Sequence, residues 1–375
     1  MQMKKKETIS MNIAIVGAGL LGRVIAINLL KNKEHKVTLF DKDSKKAFNS
    51  AAFTSAGMLA PYVELERAES EVAELGLKSI ELWPSLLEEI GASECYEQKG
   101  SIVTSHPQDM ADLNHFISKL SSKADVAEVI EELDRDKIME LEPDLQNHQK
   151  AYWVKNEGVI DVQNFMAFST KFLEEHPNVV FREFCGVKKI EPKKVFLDDK
   201  IVEFDWVFDA RGLGAKEHFE DLRGVRGEIL WVETDEIKIT RPTRIVHPRY
   251  TIYIVPRTIT FSETEAEYFK DFKAPIDGKK NIYVIGATEI ETEDTSPITV
   301  RSTMELLSAL YTVHPSFGEA RVINSEANCR PSFKDNLPRV ETSKGLSRIN
   351  GLYRHGWLVA PAIVENLLKE IGLND

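Results

Sequence analysis

The chain has 375 residues, 42% of them hydrophobic, and a formal net charge of −12. That length suffices for two domains, or one domain with a large insertion, and the apolar content suffices for a buried core. The acidic balance argues against a nucleic-acid surface, and no apolar run approaches the roughly 20 residues that a membrane span requires, so a soluble, cytoplasmic protein is expected. Cys95, Cys185 and Cys329 are odd in number and widely spaced, which suits reduced thiols better than a disulfide framework or a zinc site. The histidines show no metal-ligand spacing. Lysines 4–6 imitate the start of a signal peptide, but polar residues 7–12 separate them from the first apolar run, and Met11 is an alternative start.

Residues 12–43, NIAIVGAGLLGRVIAINLLKNKEHKVTLFDKD, read as one βαβ unit. Residues 13–16 form a short apolar run fit for a buried strand. Gly17, Gly19 and Gly22 then stand at G-x-G-x-x-G spacing where a helix must begin, and a second strand over 36–40 ends at Asp41. In a dinucleotide site the first glycine allows the tight turn, the second lets the backbone approach a pyrophosphate, and the third lets helix pack on strand. The helix N-terminus offers unpaired N–H groups and a positive dipole end to the phosphates. Asp41 falls about twenty positions after the last glycine, as recognition of a ribose 2′-hydroxyl requires. A free ribose fits FAD or NAD better than NADP.

Beyond this unit, residues 50–62 are small, and helical and loop readings compete. Residues 68–90 carry apolar positions at helical spacing, with a bend expected before Pro84. A strand is predicted at 100–104, a helix around Met110–Leu120, a strand or helix at 126–133, and a proline-broken turn after 138–145. A strand follows at 151–154, and Asp161 reads as the N-cap of a helix through Phe172. A four-stranded meander is expected over 179–184, 187–190, 194–197 and 201–208, closing on a second glycine-rich turn, 209–214, that faces the same dinucleotide from the other side. Strands at 227–233, 250–256 and 281–287 suggest one broad antiparallel sheet. The charged stretch 263–280 reads as a solvated excursion, and a helix over 301–313 places Met304, Leu307/Ser308 and Tyr311 on one face. After 321–333 and 351–357 comes a C-terminal helix from about 358 to 371, with backbone N–H donors at 356–359 available to a ligand oxygen.

Several of these stretches stand in an order that resembles the D-amino acid oxidase superfamily: GAGLLG with LFD, SAGMLAP at 55–61, FDARGLGA at 208–215, YIVPR at 253–257, VIGATE at 284–289, RPSFKDNLP at 330–338 and GLYRHGWLVAP at 351–361. AGMLAP and YRHGWLVAP are similar in particular to the glycine oxidase branch associated with thiamine biosynthesis. The resemblance implies an α/β (α+β overall) flavoenzyme. A discontinuous Rossmann-like FAD domain would span 11–85, 150–222 and 322–375, and a substrate domain on a mixed or antiparallel sheet would span 86–149 and 223–321. It implies FAD, bound non-covalently, with contacts at Gly17, Gly19, Leu20, Gly22, Asp41, Lys42, Ala52, Gly57, Met58, Val187, Ala210, Gly212, Arg330, Arg354, His355, Gly356, Trp357 and Leu358.

The substrate residues implied are Arg330, whose planar guanidinium gives a bidentate grip on a carboxylate, and Tyr253, whose phenol can donate to the same group. Met58 lies close to the substrate, Arg354 assists anion binding, His355 lines the pocket or makes a structural hydrogen bond, and Glu289 either binds a substrate amine or excludes a second carboxylate. The chain departs from the family pattern at Ala52 and Phe333, where hydroxyl residues are common, and at Arg211, which makes the second glycine-rich turn basic. Cys329 stands one residue from where some sarcosine oxidase relatives attach flavin. The implied reaction is hydride transfer from the Cα of glycine or a small secondary amine to flavin N5, hydrolysis of the imine to an oxo acid, and reoxidation by O2 to give H2O2. Two alternatives stay open: a D-amino acid dehydrogenase using a quinone or carrier, and a flavoprotein subunit or maturation partner acting on a protein-borne substrate, with 263–271 as the partner surface. A homo-oligomer is compatible with everything read here.

Overall fold

The computed structural model describes residues 10–248, 251–257 and 280–373. Lysines 4–6, Tyr250 and all of the charged excursion except Lys280 lie outside the described residues.

Two sheets organise the chain. The first has six strands in the order Arg339–Ser343, Leu346–Asn350, Trp206–Asp209, Asn12–Val16, Lys36–Phe40, Val179–Arg182, all parallel except the antiparallel pair at its start. Its central strand is buried from Ile13 to Val16, as a strand covered on both faces must be. The helices Leu20–Leu30, Ser70–Glu89 and Gly356–Glu370 pack on one side; Trp83 stacks on Trp357 at 5.6 Å, and Phe165 meets both rings edge-on. Pro84 lies inside the helix Ser70–Glu89.

The second sheet has eight strands in the order Arg321–Ser332, Arg223–Thr234, Asn281–Gly286, Thr251–Arg257, Thr243–Val246, Ser101–Ser105, Lys150–Val154, Ile130–Asp134. It is antiparallel except where Thr243–Val246 runs parallel to Ser101–Ser105. The fold is therefore mixed α/β, with a parallel sheet for a dinucleotide and a large mixed sheet beside it. Lys150–Val154 and Arg321–Ser332 both pair in this second sheet.

Some expected elements need correction. The four-stranded meander is a three-stranded one, Lys189–Glu191, Lys194–Phe196 and Ile201–Glu203. Val179–Arg182 and Trp206–Asp209 belong instead to the parallel sheet, because Phe204 and Asp205 break the run 201–208 in two. The hairpin Arg339–Ser343 and Leu346–Asn350 was not expected at all. The helix Val300–Val313 buries Leu306, Ala309, Leu310 and Val313 against the second sheet and leaves Met304 and Tyr311, read as sharing one face, exposed. Asp161 is the N-cap foreseen, its carboxylate accepting from Asn164 N–H at 3.1 Å. No helix among the described residues is long and apolar enough to cross a membrane.

Candidate active site

A cavity of about 1090 Å³ runs from the first glycine-rich turn to the face of the eight-stranded sheet, above the roughly 300–1,000 Å³ of an ordinary small-molecule pocket. At one end Gly17 has φ +99°, and a Cβ there would strike the carbonyl of Ala210 in the second glycine-rich turn; a Cβ on Gly22 would strike the carbonyl of Gly17. Close approach of three backbone segments thus demands these glycines. The helix Leu20–Leu30 starts at Gly19 with no side-chain cap and no acid in its first turn, which leaves its N–H groups and dipole open to an anion. Asp41 Oδ2 accepts from Ala18 N–H at 2.6 Å and Oδ1 from Asp43 N–H at 2.9 Å, tying the second strand to the turn with further lone pairs to spare. The helix Gly356–Glu370 likewise begins without a side-chain cap or an early acid.

At the other end charge dominates. Glu64, the last residue of the short helix Pro61–Glu64, meets Arg244 at 2.8 Å, Arg354 at 2.9 Å and His355 Nε2 at 3.1 Å. Burial pushes its ionisation up, but Arg354, Arg244 and His355 outweigh burial and hold the carboxyl well below the usual range. Glu289 contacts Arg354 at 3.5 Å and Arg67 at 3.8 Å. Arg330 behaves differently. Its Nη1 donates to the carbonyls of Thr288 at 3.2 Å and Arg226 at 3.5 Å, and among the described residues it has no carboxylate partner. Its guanidinium lies over Gly227, where any Cβ would collide with it; the flanking Arg226 and Glu228 pair with each other at 2.7 Å. Tyr253 borders the same space, its phenol pushed up by burial against the opposing pull of Arg330, Arg244 and Arg257, so it is a neutral donor.

The site has the parts of a flavoenzyme, and comparison with known proteins agrees. A family model for FAD-dependent oxidoreductases, DAO, matches residues 12–367. The chain belongs to the DAO family. A Rhizobium etli protein named thiamine biosynthesis oxidoreductase ThiO is 35% identical over 362 residues, covering 96% of both chains. Among solved structures, glycine oxidase from Geobacillus kaustophilus aligns at TM-score 0.77 and 22% identity over 96% of this chain and 95% of that one. Glycine oxidase from Bacillus cereus aligns at 0.77 and 23%, over 97% and 98%, and iminodiacetate oxidase from Chelativorans at 0.74 and 18%, over 97% and 96%. As a DAO-family enzyme the chain is an FAD-dependent oxidoreductase, and the open helix end, the glycine cradle and the long cavity fit that cofactor.

Within this DAO-family frame the expected residues fall into distinct groups. Gly17, Gly19, Leu20, Asp41, Lys42, Ala52, Gly57, Met58, Val187, Ala210, Gly212 and Gly356 all border the cavity. Gly22 does not; it serves the packing of the turn. Trp357 and Leu358 border it too, with side chains that are buried in the core, Trp357 Nε1 donating to Ala52 O at 3.1 Å. Gly57 has φ +64°, and its neighbour Ala56 is held by Arg257, whose Nη2 donates to the Ala56 carbonyl at 2.6 Å. Phe333 packs under Gly351, away from any hydroxyl role, and Arg211 adds no open charge because Asp209 and Glu217 each hold it at 2.9 Å. Cys329 is buried with Sγ toward the carbonyls of Asp294 and Thr292 at 3.5 and 3.7 Å.

Arg330, Arg354 and His355 border the cavity as well; Arg354, expected to assist anion binding, pairs with Glu64, and His355 Nε2 lies 3.1 Å from that same carboxylate. Glu64 and Arg244 were missed. Glu64 lies six residues past Met58 in an apolar stretch, and Arg244 alternates with buried Thr243 and Ile245; each is a charge in a run that reads as core. That was the available signal.

Proposed function

We propose that this enzyme oxidises a small amino acid or secondary amine of the glycine or sarcosine type at its Cα, leaving an imine that water hydrolyses to an oxo acid. The observation that carries this reading is Arg330, a guanidinium facing the cavity with no carboxylate partner among the described residues, while Arg67, Arg211, Arg244 and Arg354 are all paired. A part-buried cation without a counter-ion is the natural seat of a substrate carboxylate. Tyr253, kept neutral, donates to the same carboxylate. The turn at Gly17 and Gly19 with Asp41 would hold FAD, which would supply a hydride acceptor for Cα and pass the electron pair to O2 to give H2O2. The chain's own task is to fix the substrate with a neutral amine, so positioning matters more than a strong base; Glu64 and Glu289 are engaged with arginines.

The test is anaerobic addition of glycine, sarcosine and a panel of D-amino acids to the FAD-loaded protein. Bleaching of the yellow band by glycine or sarcosine is expected, followed by recovery in air; a reduced band that persists in air would point to another electron acceptor. Arg330→Ala should lower substrate affinity by roughly 30-fold or more while retaining FAD. Inertness toward every free amine would refute the reading.

A further inference from the structure

The pocket mouth carries a carboxylate that the proposed chemistry does not use. Glu289 directly follows Thr288, whose carbonyl accepts from Arg330 at 3.2 Å. It spans the mouth to Arg354 at 3.5 Å and Arg67 at 3.8 Å. Both contacts are long, and its side chain is 42% exposed. The short contacts of these arginines go elsewhere, Arg354 to Glu64 and Arg67 to Glu66, each at 2.9 Å. Tyr353, at φ +52°, hydrogen-bonds to Glu289 and lies within electrostatic reach of both Arg354 and Arg330. Glu289 is thus a loosely held negative charge sharing one pocket with the unpaired guanidinium. Arg354 and Arg67 are the cations that Glu289 contacts, and a second ligand carboxylate bound to either would have to displace Glu289 or sit beside it.

We propose that Glu289 is a charge gate, occupying the place of a second substrate carboxylate and repelling it, so that the pocket selects monocarboxylic amines over dicarboxylic ones. This rests on the reading that the substrate is held by a carboxylate at Arg330. Discrimination here comes from an introduced repulsion rather than from an extra attraction.

The gate is tested with ligands that bind without reacting. Methoxyacetate and oxydiacetate are ether isosteres of sarcosine and iminodiacetate with no amine to oxidise. Each is titrated into the FAD-loaded wild type, Glu289→Gln and Glu289→Asp, and the shift of the flavin absorption band is read. The wild type should bind methoxyacetate at least roughly tenfold more tightly than oxydiacetate. That preference should fall about tenfold in Glu289→Gln and persist in Glu289→Asp, which keeps the charge. Equal affinity for both ethers in the wild type, a parallel weakening of both in Glu289→Gln, or no binding of either by any form would overturn the gate. A preference for methoxyacetate that Glu289→Gln abolishes, in a protein whose flavin no amine bleaches, would support the gate while refuting amine oxidation.

Discussion

Glu157 offers a pH test of how the short helix bearing Glu64 is supported. It is fully buried, accepts from Val63 N–H at 2.9 Å and from the Ser101 hydroxyl, and burial pushes its carboxyl from an ordinary 4.5 up to about 7. The unfolded chain releases this proton near pH 4.5 and the folded chain near pH 7. Between those values the folded state holds more protons, so this group's contribution to stability declines as pH rises. Glu157→Gln keeps an acceptor for Val63 N–H and removes the ionisation. Its stability relative to wild type should be about 2 kcal/mol more favourable at pH 8 than at pH 5.5, the integral of that proton difference. Urea unfolding of both proteins in saturating FAD, followed by tryptophan fluorescence at the two pH values, measures it. A relative stability that is the same at both, or that becomes less favourable as pH rises, would refute the argument that burial dominates this carboxyl.

Gly227→Ala would push the Arg330 guanidinium aside. Methoxyacetate affinity should then fall roughly ten- to a hundredfold with flavin retained, and unchanged affinity would show that Arg330 does not hold the carboxylate from its observed position. Glu64→Gln strips Arg244 and Arg354 of their shared anion and should destabilise by about 2–3 kcal/mol at pH 7. Because the folded-state ionisation of Glu64 is depressed, its contribution is present above an ordinary carboxylate pKa and lost as pH falls below it. The deficit should therefore shrink between pH 7 and pH 3.5 in urea melts; a constant deficit would mean charge is not its source. Acid precipitation of the FAD-loaded protein should release all flavin to the supernatant, Cys329 being buried toward two backbone carbonyls. A yellow pellet would contradict this.

The cofactor end of the site was legible in the sequence because its geometry is local. Turn, helix start and the acid Asp41 lie within residues 12–43, and backbone sterics at Gly17 and Gly22 dictate their residue type wherever the unit is placed. Asp161 was legible for the same reason, since a cap bonds a backbone group three residues on. The helix Val300–Val313 shows where pattern runs out. It carries apolar residues on two faces, and only contact with the sheet chose Leu306, Leu310 and Val313 over Met304 and Tyr311. The hairpin after residue 338 was equally hidden, Arg339–Ser343 being largely exposed and Leu346–Asn350 a five-residue strand whose buried positions include Ser347 and Asn350, so neither carries a strong period. By itself the sequence determined a dinucleotide cradle and singled out Arg330 as a candidate. Tertiary structure alone decided which arginines are open, because Glu64 meets Arg244 across 180 residues of chain and His355 across 291. Neutralisation of one charge by another depends on distance in space, and spacing along the chain carries no record of it.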